Sequence, residues 1–123
     1  MVATRARQAP SIDAFGAGGF RVSGEWRPGS LLILDDVAGP WRPESMADLT
    51  AEDFASIIAA GSTVSEFVLL GTGAVQAPPP REVRAALQLA GLGLEFMSTP
   101  NAARTYGFLV SEGRRPATAL IRL

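Results

Sequence analysis

The residues of this chain that could do chemistry are few, and most lie in its second half. Gly71-Thr72-Gly73 follows a short apolar run, Glu66-Phe67-Val68-Leu69-Leu70. A glycine loop ahead of a helix can present backbone N–H groups to an anion. Glu95 lies inside a second apolar run, between Leu94 and Phe96. On a half-buried strand it points to solvent. Turned inward it needs a partner, because a lone buried carboxylate costs on the order of several kcal/mol or titrates. Arg104-Thr105-Tyr106 sets a cation, a hydroxyl and a phenol within one helical turn. Arg104 is the partner expected for Glu95, as an internal structural ion pair. In the plainer alternative Tyr106 packs in the core while Arg104 and Thr105 line the surface. Gly71, Thr72, Gly73, Glu95, Arg104, Thr105 and Tyr106 thus form a candidate crevice for an anion or a small molecule.

What is missing narrows the chemistry. The chain has no cysteine and no histidine, and all 11 basic residues are arginine. That removes thiol nucleophiles, zinc–thiolate sites and the usual general base near neutral pH. It also removes Schiff-base chemistry and the phosphate-binding lysine of a P-loop. No ligand set for a structural transition metal exists, so no cofactor is expected. Carboxylates, hydroxyls, arginine and Tyr106 remain, which favours a binding protein over an enzyme. A net charge of −1 gives no basic patch, so nucleic acid is not an expected partner.

Other motifs are weak. A dinucleotide fingerprint needs a third glycine at position 76, which is Gln76, and Pro78-Pro79-Pro80 delays the helix. Gly16, Gly18 and Gly19 precede a strand, not a helix. Asp35-Asp36 could join a third carboxylate on a hard cation, but an acidic pair in a loop is usually only solvated. The apolar side chains available to a partner are Trp26 and Trp41, with the loop 39–43.

These groups must be placed by the elements around them. At 123 residues the chain is one domain of ordinary composition, 47% apolar and 19% charged. Residues 1–15 read as an extended leader and 16–123 as a single α/β domain. Phe20, Val22 and Trp26 alternate with polar residues, so 20–26 reads as a half-buried strand. Pro28-Gly29 turns the chain into a buried strand at 31–34, and the two strands make a hairpin. The stretch 35–49 reads as a loop anchored by Trp41. Thr50 caps a helix over 51–60, with Asp53 completing an approximate capping box and Gly61 ending it. After the strand at 66–70 come a helix over 81–90, a strand over 92–97, a helix over 100–112 opened by Thr99-Pro100, and a strand over 117–123. Two consecutive strand-to-helix connections from parallel neighbours place the Gly71–Gly73 loop beside the start of the 100–112 helix. No apolar run approaches the ~18 residues that span a bilayer, and no secretory segment is seen. The expectation is a cytoplasmic protein that is not integral to a membrane.

Several strings recur in an order that identifies a family. Gly18-Gly19-Phe20 with Val22 and Gly24 comes first, then Ser30-Leu31-Leu32 and Trp41. Leu70-Gly71-Thr72-Gly73, Glu95-Phe96-Met97-Ser98-Thr99 and Ala102-Ala103-Arg104-Thr105-Tyr106 follow. From about residue 11 onward the chain resembles a small domain-of-unknown-function family. That family includes the mitochondrial respiratory complex I assembly factor 3 and stand-alone bacterial and archaeal proteins. The resemblance implies a three-layer α/β fold with a mixed central sheet and a protein that works through partners without established catalysis. One departure is Gly107, where the family usually carries asparagine after Arg-Thr-Tyr. The expected function is therefore a non-enzymatic protein-binding or assembly factor, with a small-molecule or anion-binding crevice as the alternative.

Overall fold

The computed structural model describes residues 8–123. At its centre, β6 (Phe67–Gly71) and β8 (Ala117–Leu120) lie parallel and side by side. Both are buried on both faces, as central strands of a covered sheet must be, and Thr118 is the one polar side chain between them. β7 (Gly93–Met97) adds parallel to β6, and β4 (Ser30–Leu34) adds antiparallel to β8. β5 (Val37–Trp41) closes the far edge, giving the mixed order β5-β4-β8-β6-β7. Three more strands, β1 (Ile12–Gly16), β2 (Gly19–Val22) and β3 (Glu25–Pro28), form a separate antiparallel sheet.

Two cores sandwich the five-stranded sheet. Side chains alternate along a strand, so Val68 and Leu70 face one way and Leu69 the other. On the first face lie α1 (Ala55–Ala60), preceded by a 3-10 turn at Ala51–Phe54, and α2 (Arg81–Leu89). Phe54, Ile57, Val83 and Leu87 bury there against Val68, Leu70, Ala117 and Ala119. On the second face lie α3 (Thr99–Ser111) and the three-stranded sheet. Phe20, Val22, Ala102 and Tyr106 close on Leu31, Ile33, Leu69 and Leu120. The three layers and three helices match the expectation, and so do the helix spans to within a residue or two.

The amino-terminal half departs from it. The reading of 20–26 as one strand paired with 31–34 fails, because Ser23 and Gly24 take positive φ (49° and 84°) and fold β2 back onto β3. Two consecutive left-handed residues make the mirror-image turn that suits a tight hairpin. Pro28-Gly29 then carries the chain from one sheet to the other, so 31–34 pairs with β5 and β8 instead. The extended leader ends earlier than expected, since Ile12–Gly16 is a paired strand; residues 1–7 of that leader lie outside the described residues. The loop at 35–49 contains β5. Gly39-Pro40 argues against a strand, but β5 is an edge strand, where a proline's missing N–H costs nothing when that side faces out.

Candidate functional site

Asp35 and Asp36 take φ of 50° and 62° and form the two-residue turn between β4 and β5. Aspartate tolerates that conformation better than most residues, which gives the pair a backbone role. Arg115 lies 3.1 Å from Asp35 and 3.6 Å from Asp36. Among the described residues no cluster of three or more histidine, cysteine or acidic side chains could hold a metal ion.

The Gly71–Gly73 loop lies beside the start of α3, as the topology requires. One side chain, Thr99, carries most of the contact through hydrogen bonds. Its hydroxyl accepts the Gly73 N–H at 2.8 Å and donates to the Ile121 carbonyl at 2.6 Å, while the Thr99 N–H donates to the Gly73 carbonyl at 2.7 Å. Thr99 is fully buried. The hydroxyl expected to cap α3 therefore ties three chain segments together instead. Thr72 is used in the same way: its N–H donates to the Met97 carbonyl at 2.9 Å and its hydroxyl to the Val75 carbonyl at 2.7 Å. The N–H groups of Thr72 and Gly73, which an anion would need, are both donated within the protein. Gly71 is glycine for lack of room, since a Cβ there would meet Leu120 Cδ2 at 2.8 Å and Thr99 Oγ1 at 2.9 Å.

The other crevice residues scatter. Glu95 is exposed on β7, and the expected ion pair with Arg104 does not form. Arg104 receives instead the Asn101 side chain as acceptor at 3.1 Å and sits 5.8 Å above the Phe15 ring. The helix turns Arg104 toward β1, while β7 lies across the other flank of α3. Tyr106 is buried, as the plainer reading has it, and its hydroxyl donates to the Pro10 carbonyl at 2.6 Å. Glu95 and Thr105 share a groove of about 350 Å3 between β7 and α3. Its floor is Phe67, Leu69, Met97 and Leu109, and Arg114 borders it. Arg114 is held 3.3 Å from Glu66 and 5.4 Å over the Phe67 ring. A second groove of about 440 Å3 lies on the opposite face of β7, walled by Leu87, Leu92, Leu94 and Phe96 with Arg84 and Gln88. Sequence reasoning overlooked it, although the alternation of Leu94 and Phe96 around Glu95 was the available signal.

The two tryptophans also part company. Trp41 is 8% exposed, packed edge-on against Phe54 at 5.5 Å, with its indole N–H donating to the Asp53 carbonyl at 2.9 Å. It is a core residue and leaves the candidate interaction surface, because β5 turns its last side chain under α1. Trp26 is 50% exposed and walls a groove of about 390 Å3 with Pro28 from its own sheet and Gly39 and Pro40 from the edge of the other.

Behind Trp41, Arg42 bridges two carboxylates. Its guanidinium donates to both oxygens of Asp53 at 2.7 Å and to Asp48 at 2.8 Å. Asp53 also accepts the Thr50 N–H at 2.8 Å, so the expected capping contact forms. Its carboxyl is held below the ordinary value of 3.8, first by the Arg42 hydrogen bonds and then by those from Thr50, against the opposing effect of burial. The same carboxylates push the Arg42 guanidinium up. This network fixes the segment from β5 to α1.

Residues 12–121 match a family described as protein of unknown function (DUF498/DUF598). An uncharacterized protein of Rhodobacter capsulatus is 38% identical over 110 residues, covering 89% of this chain and 82% of its own length. NADH dehydrogenase (ubiquinone) 1 alpha subcomplex assembly factor 3 of Rattus norvegicus is 34% identical over 114 residues, 93% of this chain. The chain spans 61% of the length of that relative. The crystal structure of a Bordetella parapertussis protein superimposes with a TM-score of 0.85 at 29% identity, covering 97% of this chain and 100% of that one. Among the described residues no helix is long and apolar enough to cross a membrane.

Proposed function

This chain belongs to the DUF498/DUF598 family of proteins of unknown function, and from that premise we propose that it works by binding another protein, as an assembly factor does. The observation that carries the reading is the half-exposed indole of Trp26 in a groove built from two sheets, with Pro28 on one wall and Gly39 and Pro40 on the other. An exposed aromatic set among prolines and backbone offers a large contact area at small entropic cost, the usual character of a binding hot spot. The name carried by the rat relative, an assembly factor, supports the same class of action. A small-molecule crevice at Gly71–Gly73 has the weaker support, because Thr72 and Gly73 donate their N–H groups internally.

The test is affinity capture of the tagged chain from its native cell, beside a Trp26→Ala variant of equal stability. The expected result is a co-purifying protein in near-stoichiometric amount with the parent that falls away from the variant. Capture of no such protein, with a small molecule found by native mass spectrometry instead, refutes the reading.

A further inference from the structure

We propose that the free edge of β7 takes up one extended segment of a partner protein as an added strand, a proposal that rests on the protein-binding reading above. Among the described residues β7 ends the sheet and pairs with β6 alone. In a parallel ladder one residue turns both its N–H and its C=O to the same neighbour, and the next residue turns both away. The Met97 carbonyl faces β6, where it accepts the Thr72 N–H at 2.9 Å. Glu95 and Gly93 share that direction, so Leu94 and Phe96 aim their backbone groups at the open side. Among the described residues nothing pairs with them there. Unpaired edge groups are a template for an extended backbone, and a helix cannot satisfy them.

The flanks fit the same occupant. The grooves of about 350 and 440 Å3 lie on opposite faces of this one strand and share Gly93 and Leu94 in their linings. Both have apolar floors. A strand added to β7 sends successive side chains to alternate faces, and so fills both grooves at once. Charge selects further. Glu95 is exposed with no ion pair among the described residues, whereas Arg114 across the same groove is engaged with Glu66. The segment therefore carries apolar residues at alternate positions and a basic residue on the α3 face, opposite Glu95. Arg84 at the rim of the second groove favours a polar or acidic residue at that end. A second copy of the chain suits the edge less well, since the antiparallel register that pairs the whole of β7 with itself sets Glu95 against Glu95. Like charges directly opposite destabilise a pair.

The probe is a displayed library of random ten-residue peptides, selected against the purified chain. Bound peptides are mapped by amide resonance shifts. The enriched peptides should show alternate apolar positions with an arginine or lysine on one face, and their binding should shift the amides of Leu94 and Phe96. Glu95→Lys should weaken them about tenfold. Leu94→Pro, which removes an outward N–H and none from the β6 ladder, should abolish binding. Thermal melts verify that both variants remain folded, and the exposed Glu95→Lys keeps the test valid if Leu94→Pro does not. Peptides with helical spacing, shifts confined to other strands, binding indifferent to Glu95→Lys, or no enrichment would each overturn the proposal. So would a dimer of the parent that Leu94→Pro converts to a folded monomer. A protein captured through Trp26 and retained by both β7 variants would overturn the added strand while leaving the protein-binding reading intact.

Discussion

Replacing Thr99 by valine should destabilise the protein by about 2–3 kcal/mol, although it makes a fully buried side chain more apolar. The swap conserves shape and deletes only the hydroxyl. Two partners are then orphaned: the Gly73 N–H, now bonded at 2.8 Å, and the Ile121 carbonyl, now bonded at 2.6 Å. Each buried group left unsatisfied costs about 1–3 kcal/mol, the carbonyl less than the N–H because it has two lone pairs. The added methyl returns roughly 0.8 kcal/mol. Urea titration at 25 °C measures the difference, and an unchanged slope would show that both states keep their compactness. The melting temperature should fall by roughly 10 °C, from about 3–5 °C per kcal/mol in a chain of this size. Thr99→Ser is the control. It keeps the hydroxyl and loses a buried methyl, at about 1 kcal/mol. Serine must therefore be the more stable of the two. If valine equals the parent, or exceeds serine, Thr99 is not the tie between the Gly71–Gly73 loop, α3 and the strand β8, and the account of that loop as a structural joint fails.

Asp53→Asn should cost about 1–2 kcal/mol at pH 7, discounted because Arg42 is 55% exposed and water replaces part of what it loses. The Asp53 carboxyl lies below its ordinary 3.8 in the folded protein, so its contribution is complete above that pH and is lost as the pH falls through the lower folded value. Melts from pH 7 to pH 3 should show the gap between parent and variant closing on the acid side, and a constant gap would contradict the assignment. Arg104→Ala should change stability by less than about 1 kcal/mol in a denaturant titration, since among the described residues its guanidinium is held by Asn101 and the face of Phe15. A loss of about 3–5 kcal/mol would restore a buried pairing with Glu95. Tyr106→Phe removes the bond to the Pro10 carbonyl and should cost about 1 kcal/mol. Hydrogen exchange over residues 8–16 should accelerate; unchanged exchange would mean that the phenol does not hold that segment to α3.

From Glu66 onward the order of elements was written in the sequence. The apolar runs at 67–70 and 117–121, the apolar face of 81–89 and the glycines at 91 and 113 are local signals, and local physics decides them. The nearness of the Gly71–Gly73 loop to α3 followed as well, because parallel neighbours leave a sheet at the same end. The amino-terminal half resisted for an equally physical reason. Phe20 to Trp26 alternates without interruption, and only the left-handed backbone at Ser23 and Gly24 divides it; Gly39-Pro40 disfavours a strand everywhere except at an edge, and position in the sheet is a tertiary fact. The candidate crevice failed similarly. Spacing placed Arg104 within reach of Glu95, yet the rotation of α3 on the sheet turned it to Phe15 and left the carboxylate in the open. Sequence specifies which groups a segment carries, whereas the packing of one element on another specifies the direction each group faces. That is why Thr99, an expected helix cap, became the buried joint, and why Trp41 went into the core while Trp26 stayed outside.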